Sequence, residues 1–132
     1  MKAVVVALTD LGRSPRMQYH AHALAVSGVT VDLVGYEGTG LSQGTTGDPR
    51  ISVHRIAPSV RRVGRQSSIG YAVAAAFDAM LGGWRLWRAL RKLERPDLVL
   101  VQNPPAFPTL AVTRFSLRHR GVRFIIDWHN VG

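Results

Sequence analysis

The sequence predicts an α/β fold, a parallel β-sheet carrying helices on both faces. Short aliphatic and β-branched runs recur at Ala3 to Leu8, Thr30 to Tyr36, Leu98 to Val101 and Arg123 to Ile126, each the pattern of a strand covered on both sides. Helix-patterned stretches of roughly ten residues or more separate several of these runs, as parallel crossovers require. The 132 residues, 46% apolar and 19% charged, suit one globular domain with a substantial core.

Along the chain, Ala3 to Leu8 forms the first strand and Thr9 to Ser14 the loop after it. A helix follows: Ser14 is an N-cap residue type, Pro15 suits the first helical position, and Met17, Ala21 and Leu24 are spaced for one buried face. Gly28 supplies a left-handed stop. Thr30 to Tyr36 is a second buried strand, and Glu37 to Arg50, rich in Gly, Thr and Ser, reads as a long mobile loop. Ile51 to Ile56 alternates like a half-exposed strand at a sheet edge. Ala57 to Ser68 is a basic connector with Arg61, Arg62 and Arg65. Gly70 to Leu93 is then a long helix, apolar in its first half apart from Asp78, with Trp84 and Trp87 among Arg85, Arg88, Arg91 and Lys92 in its second. Leu98 to Val101 is a fourth strand, Gln102 to Phe107 a proline-stiffened loop, Pro108 to Arg120 a helix closed by Gly121, and Arg123 to Ile126 a fifth, buried strand. The expected strand order is 3-2-1-4-5, which puts the switch point between the first and fourth strands.

Composition excludes several classes. With no cysteine there is no disulfide framework and no thiolate metal site or nucleophile, and no histidine or carboxylate pair has metal spacing. The apolar run at the amino terminus is too short for a signal peptide core, and Ile69 to Trp84 is too short, and interrupted by Asp78, for a comfortable span. A formal charge of +9, from 17 Lys and Arg against 8 Asp and Glu, points to an anionic partner such as phosphate groups or acidic lipid. Nucleic acid fits the charge, but no RNA-module motif is present. The strong preference of Arg over Lys suits bidentate phosphate recognition, although a GC-rich genome produces the same bias. The basic, aromatic helix 70–93 reads either as a face resting on anionic lipid or as a core-facing aromatic stripe with solvated arginines.

Three loops converge on the carboxyl edge of the expected sheet. In the first, Gly12 allows a tight turn, the helix starting at Pro15 offers free N–H groups, and Arg13 and Arg16 add charge, so Gly12, Arg13, Ser14 and Arg16 could hold a diphosphate. The alternative reading of the same spacing is a capped helix start with two solvated arginines. The dinucleotide fingerprint is missing, since one glycine lies between Leu8 and Met17, and no nicotinamide or flavin cofactor is expected; Glu37 alone is a weak ribose ligand. In the second loop the amides of Gln102 and Asn103 precede Pro104 and Pro105 and suit sugar hydroxyls. In the third, Asp127, His129 and Asn130 offer a general base and an orienting group. His20 and His22 read as ordinary helix residues.

Gly12-Arg13-Ser14-Pro15-Arg16-Met17-Gln18-Tyr19-His20, Gln102-Asn103-Pro104-Pro105 with Pro108-Thr109-Leu110, and Ile126-Asp127-Trp128-His129-Asn130 together resemble the amino-terminal signature of chitobiosyldiphosphodolichol beta-mannosyltransferases. The resemblance implies the Rossmann-like N-terminal, acceptor-side domain of a GT-B glycosyltransferase, with the nucleotide-sugar domain absent from this chain. It implies transfer of mannose from GDP-mannose, with inversion, to a dolichyl- or polyprenyl-diphosphate-linked GlcNAc2 at the cytosolic face of a membrane, the isolated chain being inactive. Asp10 is then the first candidate base, ahead of Asp127 and His129, and Arg13 and Arg16 are diphosphate contacts. The composition looks bacterial, which leaves the acceptor lipid open. The alternative from another class is a non-catalytic flavodoxin-like module that docks on phosphate or a membrane.

Overall fold

A computed structural model describes residues 1–58, 68–103, 108–118 and 121–128. The elements follow in the order β1 (Lys2–Asp10), a 3-10 turn (Leu11–Arg13), α1 (Pro15–Val26), β2 (Thr30–Tyr36), α2 (Gln43–Thr46), β3 (Ile51–Ile56), α3 (Ser68–Leu90), β4 (Leu98–Asn103), α4 (Thr109–Leu117) and β5 (Arg123–Trp128). All five strands pair in parallel in the order β3-β2-β1-β4-β5, as the sequence predicts.

Alternation along β1 sorts the core into two layers. Ala3, Val5 and Ala7 face α1, where they meet Met17, Ala21 and Ala25; Val4, Val6 and Leu8 face the other way, toward Leu86 and Leu90 of α3 and Leu117 of α4. A strand buried on both faces must be apolar at every position, which is why β1 shows no polar alternation until Thr9. Pro15 opens α1, and the positive φ of Gly28 (87°) and Gly121 (89°) lets the chain reverse after α1 and α4.

Several expectations are corrected. Fraying of the prediction at strand ends comes first: β1, β4 and β5 each run two residues further, so Thr9, Asp10, Gln102, Asn103 and Asp127 belong to strands rather than loops. Glu37 to Arg50 contains the single turn α2, whose Thr45 is buried. The helix predicted over 70–93 spans Ser68–Leu90. Strand β5 is not buried: it is an outer strand with one neighbour, and Ile125, Ile126 and Trp128 are 50%, 46% and 73% exposed. An aliphatic run marks a strand, but only the sheet's neighbours decide its cover. The arginines of the 57–68 connector, Pro104, Pro105, His129 and Asn130 lie outside the described residues.

Candidate active site at the carboxyl edge of the sheet

The ends of β1, β4 and β5 meet at one rim. Thr9 and Asp10 end β1, Gln102 and Asn103 end β4, and Asp127 nearly ends β5, in register with Gln102. The start of α1 crosses above them. Ser14 stands at the N-cap position of α1, yet its hydroxyl caps nothing. Instead Ser14 Oγ donates to Gln102 Oε1 at 3.1 Å and lies 2.9 Å from Thr9 Oγ1. A hydroxyl has one proton to give, so Thr9 donates to Ser14 and the chain Thr9–Ser14–Gln102 ties β1, α1 and β4 together.

Asp10 is consumed by its own surroundings. Its carboxylate accepts from the Gly12 N–H at 2.9 Å, the Thr39 N–H at 3.0 Å and the Thr39 hydroxyl at 2.8 Å. The Thr39 backbone bond, then the Thr39 hydroxyl and the Gly12 N–H, hold its carboxyl below the usual carboxylate range against partial desolvation, and the Arg13 guanidinium adds to the effect. Asp10 thus ties the end of β1 to the turn after it and to Thr39. Gly12 is required for a different reason from the one its turn suggests. Its φ is not positive, and a Cβ there would run into the Thr39 carbonyl. Arg13 lies 3.8 Å from Asp10 with its side chain 83% exposed, in position to meet a ligand from solvent.

Arg16 is the charged group that the fold directs to the rim. Its Nη2 donates to Asp127 Oδ1 at 2.9 Å, linking α1 to β5, while half of the side chain stays exposed. One turn further along α1, His20 Nε2 lies 3.8 Å from Asp127 Oδ2, and neither atom has a hydrogen-bond partner. Arg16 and His20 share a helix face because they are four residues apart. The spacing alone gives His20 no such role, because its neighbour Asp127 comes from far along the chain. Asn103 is buried, with its Oδ1 unpartnered, so its amide does not line the open rim.

Gln18 was also missed. It is buried and accepts from the Ser42 N–H at 2.9 Å while donating to the Leu11 carbonyl at 2.8 Å, which fastens the 37–50 segment to α1. Between them lies a cleft of about 360 Å³ lined by Gly12, Tyr19, His22 and Gly40 among others. His22 Nδ1 faces no hydrogen-bond partner. The rim therefore brings together Gly12, Arg13, Ser14, Arg16, Gln102 and Asp127, with Asp10 paired to Gly12 and Thr39 and Asn103 buried.

A family model for a glycosyl transferase 4-like domain matches residues 12–132, nearly the whole chain and all of this rim beyond Leu11. The chain belongs to the glycosyl transferase 4-like family. Among its relatives, a protein of Arabidopsis thaliana named UDP-glycosyltransferase TURAN is 40% identical, and a chitobiosyldiphosphodolichol beta-mannosyltransferase of Yarrowia lipolytica is 39% identical; each match covers 99% of this chain and 28% of the relative. The human chitobiosyldiphosphodolichol beta-mannosyltransferase is 35% identical over 98% of this chain and 27% of its own length. This glycosyltransferase domain thus spans little more than a quarter of those relatives, and the family resemblance stated from its motifs holds. Its Rossmann-like sheet is consistent with the N-terminal domain of a GT-B enzyme. The C-terminal domain of a Pyrococcus furiosus hydrogenase superposes with a TM-score of 0.64, covering 96% of this chain and 91% of that one at 16% identity, and shares the fold alone.

Proposed function

We propose that this chain is the acceptor-side domain of an inverting β-1,4-mannosyltransferase, which moves mannose from GDP-mannose to a polyprenyl- or dolichyl-diphosphate-linked GlcNAc2 at the cytosolic face of a membrane. The observation that carries the reading is the basic rim: Arg16 is held by Asp127 at the carboxyl edge, and exposed Arg13 stands beside it, in a chain with mannosyltransferase relatives. In a direct displacement the acceptor hydroxyl attacks the anomeric carbon, a base removes its proton, and GDP leaves with the bonding electrons. Arginines suit a diphosphate because their fork of donors matches its oxygens. They serve either the departing GDP or the diphosphate that links acceptor sugar to lipid.

Of the three candidate bases, Asp10 is ionised but weakly basic, because its hydrogen bonds favour the charged form. Those bonds also give Asp10 an anchoring role, and Asp127, itself ion-paired with Arg16, and His129 are the other candidates. The amide of Gln102, held by Ser14, and those of Asn103 and Asn130 are the sugar-binding candidates, with Gln102 the one placed at the open rim. The isolated domain is expected to be inactive, since the nucleotide-sugar site of such enzymes needs a second domain.

The test is a transfer assay on the full reading frame that contains this chain, with labelled GDP-mannose and polyprenyl-diphosphate chitobiose in detergent. Mannosylated lipid is the expected product. Binding of GDP-mannose without transfer would reject this acceptor, and absence of donor binding would reject the transferase. In the active protein, replacing Arg13 and Arg16 together by Gln should raise KM or lower kcat; unchanged kinetics would reduce both to surface charge.

A further inference from the structure

The rim contains a carboxylate that is buried and only half satisfied. Near the end of β5, Asp127 shares the α1 side of the sheet with Ile125 and, across the register, with Leu100 and Gln102. Its side chain is 9% exposed. Oδ1 accepts from Arg16 Nη2 at 2.9 Å, but Oδ2 is buried and has no hydrogen bond. A buried carboxylate oxygen without a donor costs free energy, so it calls for a partner.

His20 is the donor that the fold sets before it. Its Nε2 is likewise buried and without a hydrogen bond, and it lies 3.8 Å from Asp127 Oδ2. The two atoms are complementary, because an imidazole nitrogen that carries its proton donates and a carboxylate accepts. The gap exceeds a hydrogen bond by about 1 Å, which a small rotation of either side chain closes. Beside the ring is a mainly apolar cleft of about 350 Å³, lined by Ala23 and Leu24 of α1, Leu98 and Leu100 of β4, and Ile125 of β5 among others. Apolar surroundings strengthen a hydrogen bond that forms within them.

A second partner matters to Asp127 for a geometric reason. The terminal torsion of an aspartate is broad, so one ion pair leaves the carboxylate able to turn. A bond to the other oxygen fixes its plane. That plane in turn orients Arg16, whose side chain is 54% exposed at the rim and whose planar fork of donors matches diphosphate oxygens at a defined angle. Arg16 and His20, one turn apart on α1, thus stand over the two oxygens of one carboxylate.

We propose that His20 is a positioning residue of this rim: its Nε2–H holds Asp127 Oδ2, so that Asp127 presents Arg16 to a diphosphate. The proposal rests on the transferase reading of the preceding section, in which Arg16 meets the diphosphate of GDP or of the acceptor lipid. His20 itself touches no substrate. Its effect passes through Asp127 and Arg16.

The test measures kcat and KM for both substrates in the full reading frame, comparing Arg16→Gln, His20→Phe, His20→Gln, and Arg16→Gln combined with His20→Phe. His20→Phe keeps a ring and removes the donor. It should lower kcat/KM about tenfold or more, the worth of one hydrogen bond to a charged group, and the loss should fall on the same constant, KM or kcat, as in Arg16→Gln. The combined variant should be no worse than Arg16→Gln alone, because a positioning residue then has nothing left to position. His20→Gln, whose amide N–H can reach the same oxygen, should recover most of the activity. A purely structural His20 would give a loss that adds to that of Arg16→Gln and a glutamine no better than phenylalanine. Either result overturns the proposal, as does wild-type activity in His20→Phe. A further readout needs no turnover: in the 132-residue chain with nitrogen-15 histidine, the His20 ring resonances should place a proton on Nε2 and shift in Asp127→Asn, and unshifted resonances would overturn the contact. Transfer by the wild type alongside any of these failures spares the transferase. No transfer by the wild type removes the transferase and the positioning role with it, and a resonance shift would then mark a structural contact alone.

Discussion

The β1–α1 corner and the α3 shoulder, the first half of that helix, lie on the same edge of the sheet and treat their side chains in opposite ways. At the corner, polar groups that a sequence reader would offer to a ligand are spent internally. Asp10 takes Gly12 and Thr39, Ser14 takes Thr9 and Gln102, and Gln18 takes Leu11 and Ser42. At the shoulder, apolar side chains that a reader would assign to a core stand in solvent. Residue type therefore signals binding poorly at this edge. A polar group fully paired within the chain is positioned for architecture, and a contiguous exposed apolar surface is the part left for something else to cover.

The contrast can be broken or sharpened by substitution. The largest effect belongs to the anchored half of α3: Leu86→Ala removes a fully buried side chain from the layer shared with Val4 and Val99 and should cost about 2–5 kcal/mol in urea unfolding. A cost under about 1 kcal/mol would mean that this half of the helix is as loosely held as the other. Next comes Gly12→Ala at the corner. The added methyl must displace the Thr39 backbone, at about 1–3 kcal/mol, whereas Gly40→Ala, with open space around it, should be close to neutral.

Asp10→Asn probes the same corner through pH. The folded carboxyl titrates below its unfolded value, so its contribution is complete above the unfolded value and is lost as pH falls through the folded one. Wild-type chain should accordingly lose stability on acidification below pH about 4 more steeply than Asp10→Asn, as thermal unfolding over an acid series would reveal. Parallel pH curves for the two proteins would take the anchoring role from Asp10. The smallest effect is expected at the shoulder. Met80→Ala should change unfolding by no more than about 0.5 kcal/mol, because its side chain is mostly in solvent already. A larger loss would show that the first half of α3 packs against the domain after all.

Much of this architecture was legible in the residues. The strand runs at Thr30–Tyr36 and Ile51–Ile56 were read to their observed bounds, because Gly28 and the polar segments on either side punctuate them clearly. The strand order followed from the helical lengths between strands. The rim itself was legible too, since parallel strands all end at one edge and the motif residues follow β1, β4 and β5. His20 and Gln18 were not legible as rim residues, because their roles depend on what β5 and the 37–50 segment bring to α1 from far along the chain.

By itself the sequence determined the fold class, the order of the sheet, the family and the edge at which the motif residues gather. Local physics decides these: β-branched runs, caps, glycine stops and crossover lengths act over a few residues at a time. Only the tertiary structure decided which partner each of the gathered groups takes. Asp10 and Arg16 look alike as charged residues beside a helix start, yet Thr39 closes around one while Asp127 holds the other at the rim. The exposure of β5 and of the α3 shoulder was decided in the same way. A side chain's availability depends on partners distant in sequence, and those are chosen by packing.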